Sequence, residues 1–80
     1  MLHEVQAQNR FIGFKQSKKA IEEGSALKAF IAEDCSEDMR GTLDGLCRAH
    51  GVTVEYVPTM KQLGAEAGID VGSAIVVLTK

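Results

Sequence analysis

The stretch AIVVL at residues 74–78 is apolar without a break. A strand with one wet face alternates apolar and polar side chains. A run with no alternation is the pattern of a central strand covered on both faces. Two more extended segments lie upstream. Leu27, Ala29 and Ile31 alternate with Lys28 and Phe30, and Val52, Val54 and Tyr56 alternate with Thr53 and Glu55.

Helices fall between these segments, and their ends are readable. "SEDM" at 36–39 offers Ser36 as N-cap and sets Glu37 and Asp38 in the first turn, where the helix dipole favours acids. Met39, Leu43, Leu46 and Cys47 then recur at helical spacing as a buried stripe. "TMKQ" at 59–62 reads as a capping box, with Thr59 capping the backbone at Gln62 and Gln62 reaching back. Gly24, Gly51 and Gly68 each follow a helical stretch, where a left-handed residue ends the helix. Residues 2–8 read as a short helix with Leu2 and Val5 inward, and residues 11–13 as a short extended piece. The order is helix, extended piece, helix, strand, helix, strand, helix, strand. This alternation predicts an α/β fold, one small sheet with helices on both faces. Helical crossovers make at least some strands parallel.

Eighty residues make one domain, and a chain this short buries only about 60% of its unfolded surface. With 45% hydrophobic and 25% charged residues the composition is globular rather than disordered. Only 5% of residues are aromatic and Trp is absent, so the core is expected to be aliphatic. No apolar run reaches the ~18 residues of a membrane span. The N-terminus has no visible signal-peptide pattern. Cys35 and Cys47 fit no common zinc spacing and are expected to be reduced thiols of a cytoplasmic protein.

Chemistry that would make an enzyme is hard to find. Glu33, Asp34, Glu37 and Asp38 surround Cys35, the reverse of the electropositive setting of a reactive cysteine, while Cys47 sits on the buried stripe. The same four acids match no calcium loop, which needs ligands at alternate positions and a glycine at the turn. They read as a solvated loop and a helix start. No glycine-rich phosphate cradle is present. No catalytic residue, metal ligand or cofactor is expected.

The net charge of −2 argues against bulk nucleic-acid binding, but it is unevenly spread. Residues 1–30 hold five basic and three acidic residues; residues 31–80 hold four basic and eight acidic. The positive centre is "GFKQSKKA" at 13–20. Lys15, Lys18 and Lys19 stand at i, i+3 and i+4, on one helical face. They crowd the start of a helix, where each cation costs a few tenths of a kcal/mol. Glu22 and Glu23 offset them only in the less favourable order. The cluster is either a solvated basic face or an anion site. In the second case the lysines add to free N–H donors at the helix start, and Gln16 can read a base edge. A local rule broken without a folding reason is expected at functional sites.

Four stretches in order resemble one family. They are "GFKQSKKAIEEG" (13–24), "IAED" (31–34), "YVPTMKQLG" (56–64) and "GIDVGSA" (68–74). The chain resembles the kink-turn RNA-binding ribosomal proteins, the superfamily of the large-subunit proteins L-seven-Ae and L-thirty-e, and in particular its short bacterial members. The resemblance implies a three-layer α/β/α sandwich around a small four-stranded mixed sheet, with residues 1–80 a single kink-turn RNA-binding domain. Kink-turns are RNA helices bent sharply at a three-nucleotide bulge beside tandem sheared G·A pairs. By the family pattern, Gly13 lets the helix start press against the RNA backbone. Lys15 and Gln16 take the positions that contact the sheared guanines, and Lys18 and Lys19 lie on the same face, Lys19 matching an RNA-contacting lysine. Ile69, Asp70, Val71 and Gly72 match the loop over the flipped-out bulge nucleotide, and Ser36 stands where relatives place an acid near it.

Some positions depart from the pattern. Phe14 replaces a threonine, to stack on RNA or to fill a gap. Lys15–Gln16 replaces Asn–Glu. Met60 stands where relatives carry lysine, with Lys61 one position later. The resemblance implies a non-enzymatic, cytoplasmic, monomeric protein that binds structured kink-turn RNA, associates with the ribosome and has no membrane partner. The alternative it leaves open is a protein-interaction adaptor of the same fold.

Overall fold

The computed structural model of the chain describes residues 9–69 and 71–79. The helix expected over 2–8 lies outside the described residues, as does Asp70. The elements are β1 (Arg10–Ile12), α1 (Phe14–Glu22), β2 (Ala26–Ala32), α2 (Glu37–Ala49), β3 (Thr53–Val57), α3 (Met60–Glu66) and β4 (Ile75–Thr79). The strands form one sheet in the order β1-β4-β2-β3. β4 runs antiparallel to both neighbours, whereas β2 and β3 are parallel.

The unbroken apolar run of β4 has the expected cause. Ile75 and Val77 enter a cluster with Ala29 and Ile31 of β2, Ala20 and Ile21 of α1, and Leu43 and Cys47 of α2. Val76 and Leu78 enter a second cluster with Phe30, Ala32, Val57, and Leu63 and Ala67 at α3. Helices α1 and α2 therefore cover one face and α3 the other, a three-layer α/β/α sandwich around a four-stranded mixed sheet. Each aliphatic side chain taken fully out of water here contributes about 1.5–3 kcal/mol. The helix ends follow the sequence too. Ser36 Oγ accepts from Met39 N–H at 3.2 Å, and Thr59 Oγ1 from Gln62 N–H at 3.0 Å.

Two strands differ from their expected alternation. In β2, Phe30 is fully buried and Leu27 is 54% exposed. Both faces of β2 are covered from Ala29 onward, and an irregularity in its register with β4 falls between Ala26 and Lys28. Lys28 Nζ lies 5.0 Å from the Phe30 ring centroid and 3.2 Å from Glu55 Oε1. In β3, an edge strand, Val57 is the buried residue and Tyr56 is exposed, its hydroxyl donating to Asp44 Oδ1 at 3.1 Å.

Cys47 is fully buried, and burial, followed by the nearby Asp44 charge, pushes its thiol up to about 11. The native state thus holds this proton more tightly than the unfolded chain. Its contribution to stability is present below the unfolded pKa and is lost as pH rises toward about 11. In urea unfolding the midpoint is expected to fall through this alkaline range. The fall should be shallower in Cys47→Ala; an identical slope in both proteins contradicts the assignment.

Candidate functional site

β1, β2 and β3 all run into their helices at the same end of the sheet, and β4 enters from that end. Gly13 N–H donates to Ile75 O at 3.1 Å, Ala32 N–H to Ala74 O at 2.9 Å, and Glu33 N–H to Val57 O at 2.8 Å. Three helix N-termini and the chain entering β4 at Ala74 therefore share one rim. The carboxyl ends of strands are where open α/β sheets bind ligands, and helix N-termini there carry positive potential.

The three helix starts are not equivalent. α2 has the Ser36 cap and two acids, Glu37 and Asp38, in its first turn. At α3, Thr59 caps Gln62, and the Asp34 carboxylate accepts from Met60 N–H at 2.7 Å. α1 begins at Gly13 with no side-chain cap and no acid in its first turn. Its first N–H groups lack a side-chain oxygen that the other two helices have. The site is thus electrostatically biased to one of its three helices.

On α1, Ser17, Ala20 and Ile21 are buried, while Lys15, Gln16 and Lys19 are exposed and Lys18 is half-buried. Lys19 Nζ stands 4.0 Å from Glu23 Oε1, with the lysine side chain 77% exposed. An exposed pair this loose contributes little and leaves most of the lysine charge facing solvent. Phe14 packs against the first core cluster, the gap-filling alternative of the two stated for it.

The residues on either side of position 70 are seated on α3. Ile69 N–H donates to Gly64 O at 3.0 Å, and Ser73 N–H to Met60 O at 3.0 Å. Ser73 is buried, with its hydroxyl donating to Ile75 O at 2.8 Å. A Cβ on Gly72 would come within 3.1 Å of the Met60 carbonyl carbon. Met60, where the family pattern has lysine, is half-buried and packs against both core clusters, so here it anchors the loop. Val71 is left 70% exposed at the tip.

Of the site residues read from the sequence, Gly13, Phe14, Lys15, Gln16, Ser36, Lys61, Ile69, Val71 and Gly72 all lie at this rim. Lys18 and Lys19 follow one turn further along α1. Asp34 and Gly64 were missed as supports of the site. Asp34 reads locally as part of a solvated loop, because its contact is 26 residues away, beyond any local pattern.

No helix among the described residues is long and apolar enough to cross a membrane. The architecture defines a small α/β/α sandwich with a basic, uncapped helix start at the carboxyl end of its sheet. The sequence matches the Ribosomal protein L7Ae/L30e/S12e/Gadd45 family over residues 2–80, and the chain belongs to that family. It is 37% identical over 75 residues to an RNA-binding protein of Halalkalibacterium halodurans, covering 94% of this chain and 92% of that one. It is 43% identical over 63 residues to the large ribosomal subunit protein eL8 of Halobacterium salinarum, covering 78% of this chain and 52% of that one. Among solved structures, the Giardia lamblia 15.5kD RNA binding protein superposes with a TM-score of 0.86 at 22% identity, over 98% of this chain and 66% of that one. At that identity the superposition speaks for the fold alone.

Proposed function

We propose that this protein is a non-enzymatic RNA-binding protein that recognises kink-turn RNA, stabilises its bent form and works in association with the ribosome. The observation that carries this reading is the uncapped start of α1 at the rim where β4 also begins, with Lys15, Gln16 and Lys19 exposed along that helix. Free N–H groups and lysines meet phosphate, and Lys15 and Gln16 meet guanine edges. Ile69 and Val71 offer apolar surface to an unstacked base. The protein acts by population shift: it binds the bent RNA better than the extended one, and so favours it. The acidic surface elsewhere limits non-specific attachment to RNA.

Salt dependence tests the lysine face. The log–log slope of affinity against salt is expected near −0.7 to −0.9 per phosphate neutralised. A slope near zero contradicts the proposal. Lys19→Ala is expected to weaken RNA binding by about 1 kcal/mol or more and to make the slope shallower. Because Lys19 is exposed, the unfolding midpoint should stay unchanged. Unaltered affinity removes Lys19 from the interface.

A further inference from the structure

We infer that the groove between β1 and α1, beside the lysine face, is a subsite for an unpaired guanine nucleotide of the bound RNA. The inference rests on the RNA-binding reading above and adds to it a site away from the loop at 69–72. Phe11, Gln16, Lys19, Ala20 and Glu23 line a pocket of about 330 Å³ there. This is at the small end of the range for ligand clefts.

The placement of Phe11 follows from the strand. Its neighbours in β1 turn to the α3 side: Arg10 donates to Ala67 O at 3.1 Å, and Ile12 packs on the second core cluster. Phe11 therefore points to the α1 side, at the edge of the sheet, and its carbonyl accepts from Ser17 Oγ at 3.4 Å. It stays 40% exposed, whereas Ala29, Ile31, Ile75 and Val77 on the same face are fully buried. One exposed aromatic is ordinary on a protein surface. Its surroundings distinguish this one. Gln16 and Lys19 on the exposed side of α1 and Glu23 at its C-cap follow at i, i+3 and i+7, so an amide, an ammonium and a carboxylate are lined up beside one ring.

Unpaired bases are recognised by stacking on an aromatic ring and by hydrogen bonds along their edges. Phe11 supplies the ring. The Glu23 carboxylate is an acceptor with two oxygens. Guanine alone among the common bases presents two adjacent donors, N1–H and the 2-amino group, to such a pair. The Lys19 ammonium can donate to its O6. The carboxylate also repels phosphate, so the groove suits a base edge rather than bare backbone. The loose Lys19–Glu23 pair, at 4.0 Å, opens at little cost.

The test is an amide NMR titration of the full chain with guanosine 5′-monophosphate, and in parallel with cytidine 5′-monophosphate. The guanine nucleotide is expected to move the amides of Phe11, Gln16, Lys19 and Glu23, and to bind about fivefold tighter than the cytosine nucleotide or better. Phe11→Leu should cost about fivefold or more in that affinity. Glu23→Gln, at an exposed position that does not threaten the fold, should erase the preference for guanine. Equal response to both nucleotides, or shifts confined to the loop at 69–72, overturns the subsite. A parallel titration with kink-turn RNA separates the two ideas. RNA binding without a nucleotide response at these four residues refutes the subsite and leaves the RNA reading standing. A guanine-selective response without RNA binding does the reverse.

Discussion

Gly64→Ala is expected to destabilise the fold by about 1–3 kcal/mol, the range for forcing one extra methyl into a filled space. Gly64 is buried in α3, and a Cβ there would overlap Val71 O and come within 3.0 Å of Gly72 Cα. The obstacle is backbone, so no side chain can swing away. The loop would have to lift from α3, weakening the bonds from Ile69 N–H to Gly64 O and from Ser73 N–H to Met60 O. Urea unfolding should report a lower midpoint at an unchanged m-value, and RNA affinity should fall with it because the loop loses its seat. Gly45→Ala in α2 is the contrast. A Cβ there meets nothing within 4 Å, so alanine's higher helix propensity should stabilise by up to about 1 kcal/mol. Equal effects of the two substitutions contradict the packing account.

Gly13→Ala is expected to be damaging for the opposite reason. Space is open around a Cβ at Gly13, but its φ is 101° and its ψ 163°. That region is essentially reserved for glycine, and occupying it with another residue costs about 1–3 kcal/mol. The chain relieves the strain by rotating the backbone where β1 becomes α1. Such rotation disturbs the bond from Gly13 N–H to Ile75 O and re-aims the first N–H groups of the helix. Affinity for kink-turn RNA should then fall by more than the loss in stability explains, measured under conditions where both proteins stay folded. An Ala variant that binds as well as the parent removes the α1 start from the interface.

Much of the fold could be read locally. The apolar run of β4, the Ser36 and Thr59 caps and the three helix-ending glycines depend on neighbours within a few residues. Gly24, Gly51 and Gly68 have φ of 77°, 69° and 83°, Ser36 and Thr59 each accept from the N–H three residues on, and the apolar strand runs Ile75–Thr79. The burial of Phe30 rather than Leu27 was hidden because it depends on how far the covering helices reach along β2. The basic start of α1 was legible because it broke a charge rule, and the structure adds why: the other two helix starts are capped by side chains. Phe14, for which the sequence leaves stacking and gap-filling open, and Met60, where the family pattern has lysine, both pack on the core. Asp34 acts on a backbone N–H 26 residues away, which no periodicity could have announced.

The central claim is that the rim formed by α1 and the loop at 69–72 selects bent RNA. The most direct measurement titrates this protein into a kink-turn RNA carrying a fluorescent donor and acceptor on its two arms. The control RNA has its sheared G·A pairs converted to Watson–Crick pairs. The account predicts a rise in energy transfer with tight binding for the intact kink-turn and no closure of the control. Equal closure of both RNAs, or of neither, contradicts it and favours the protein-interaction alternative.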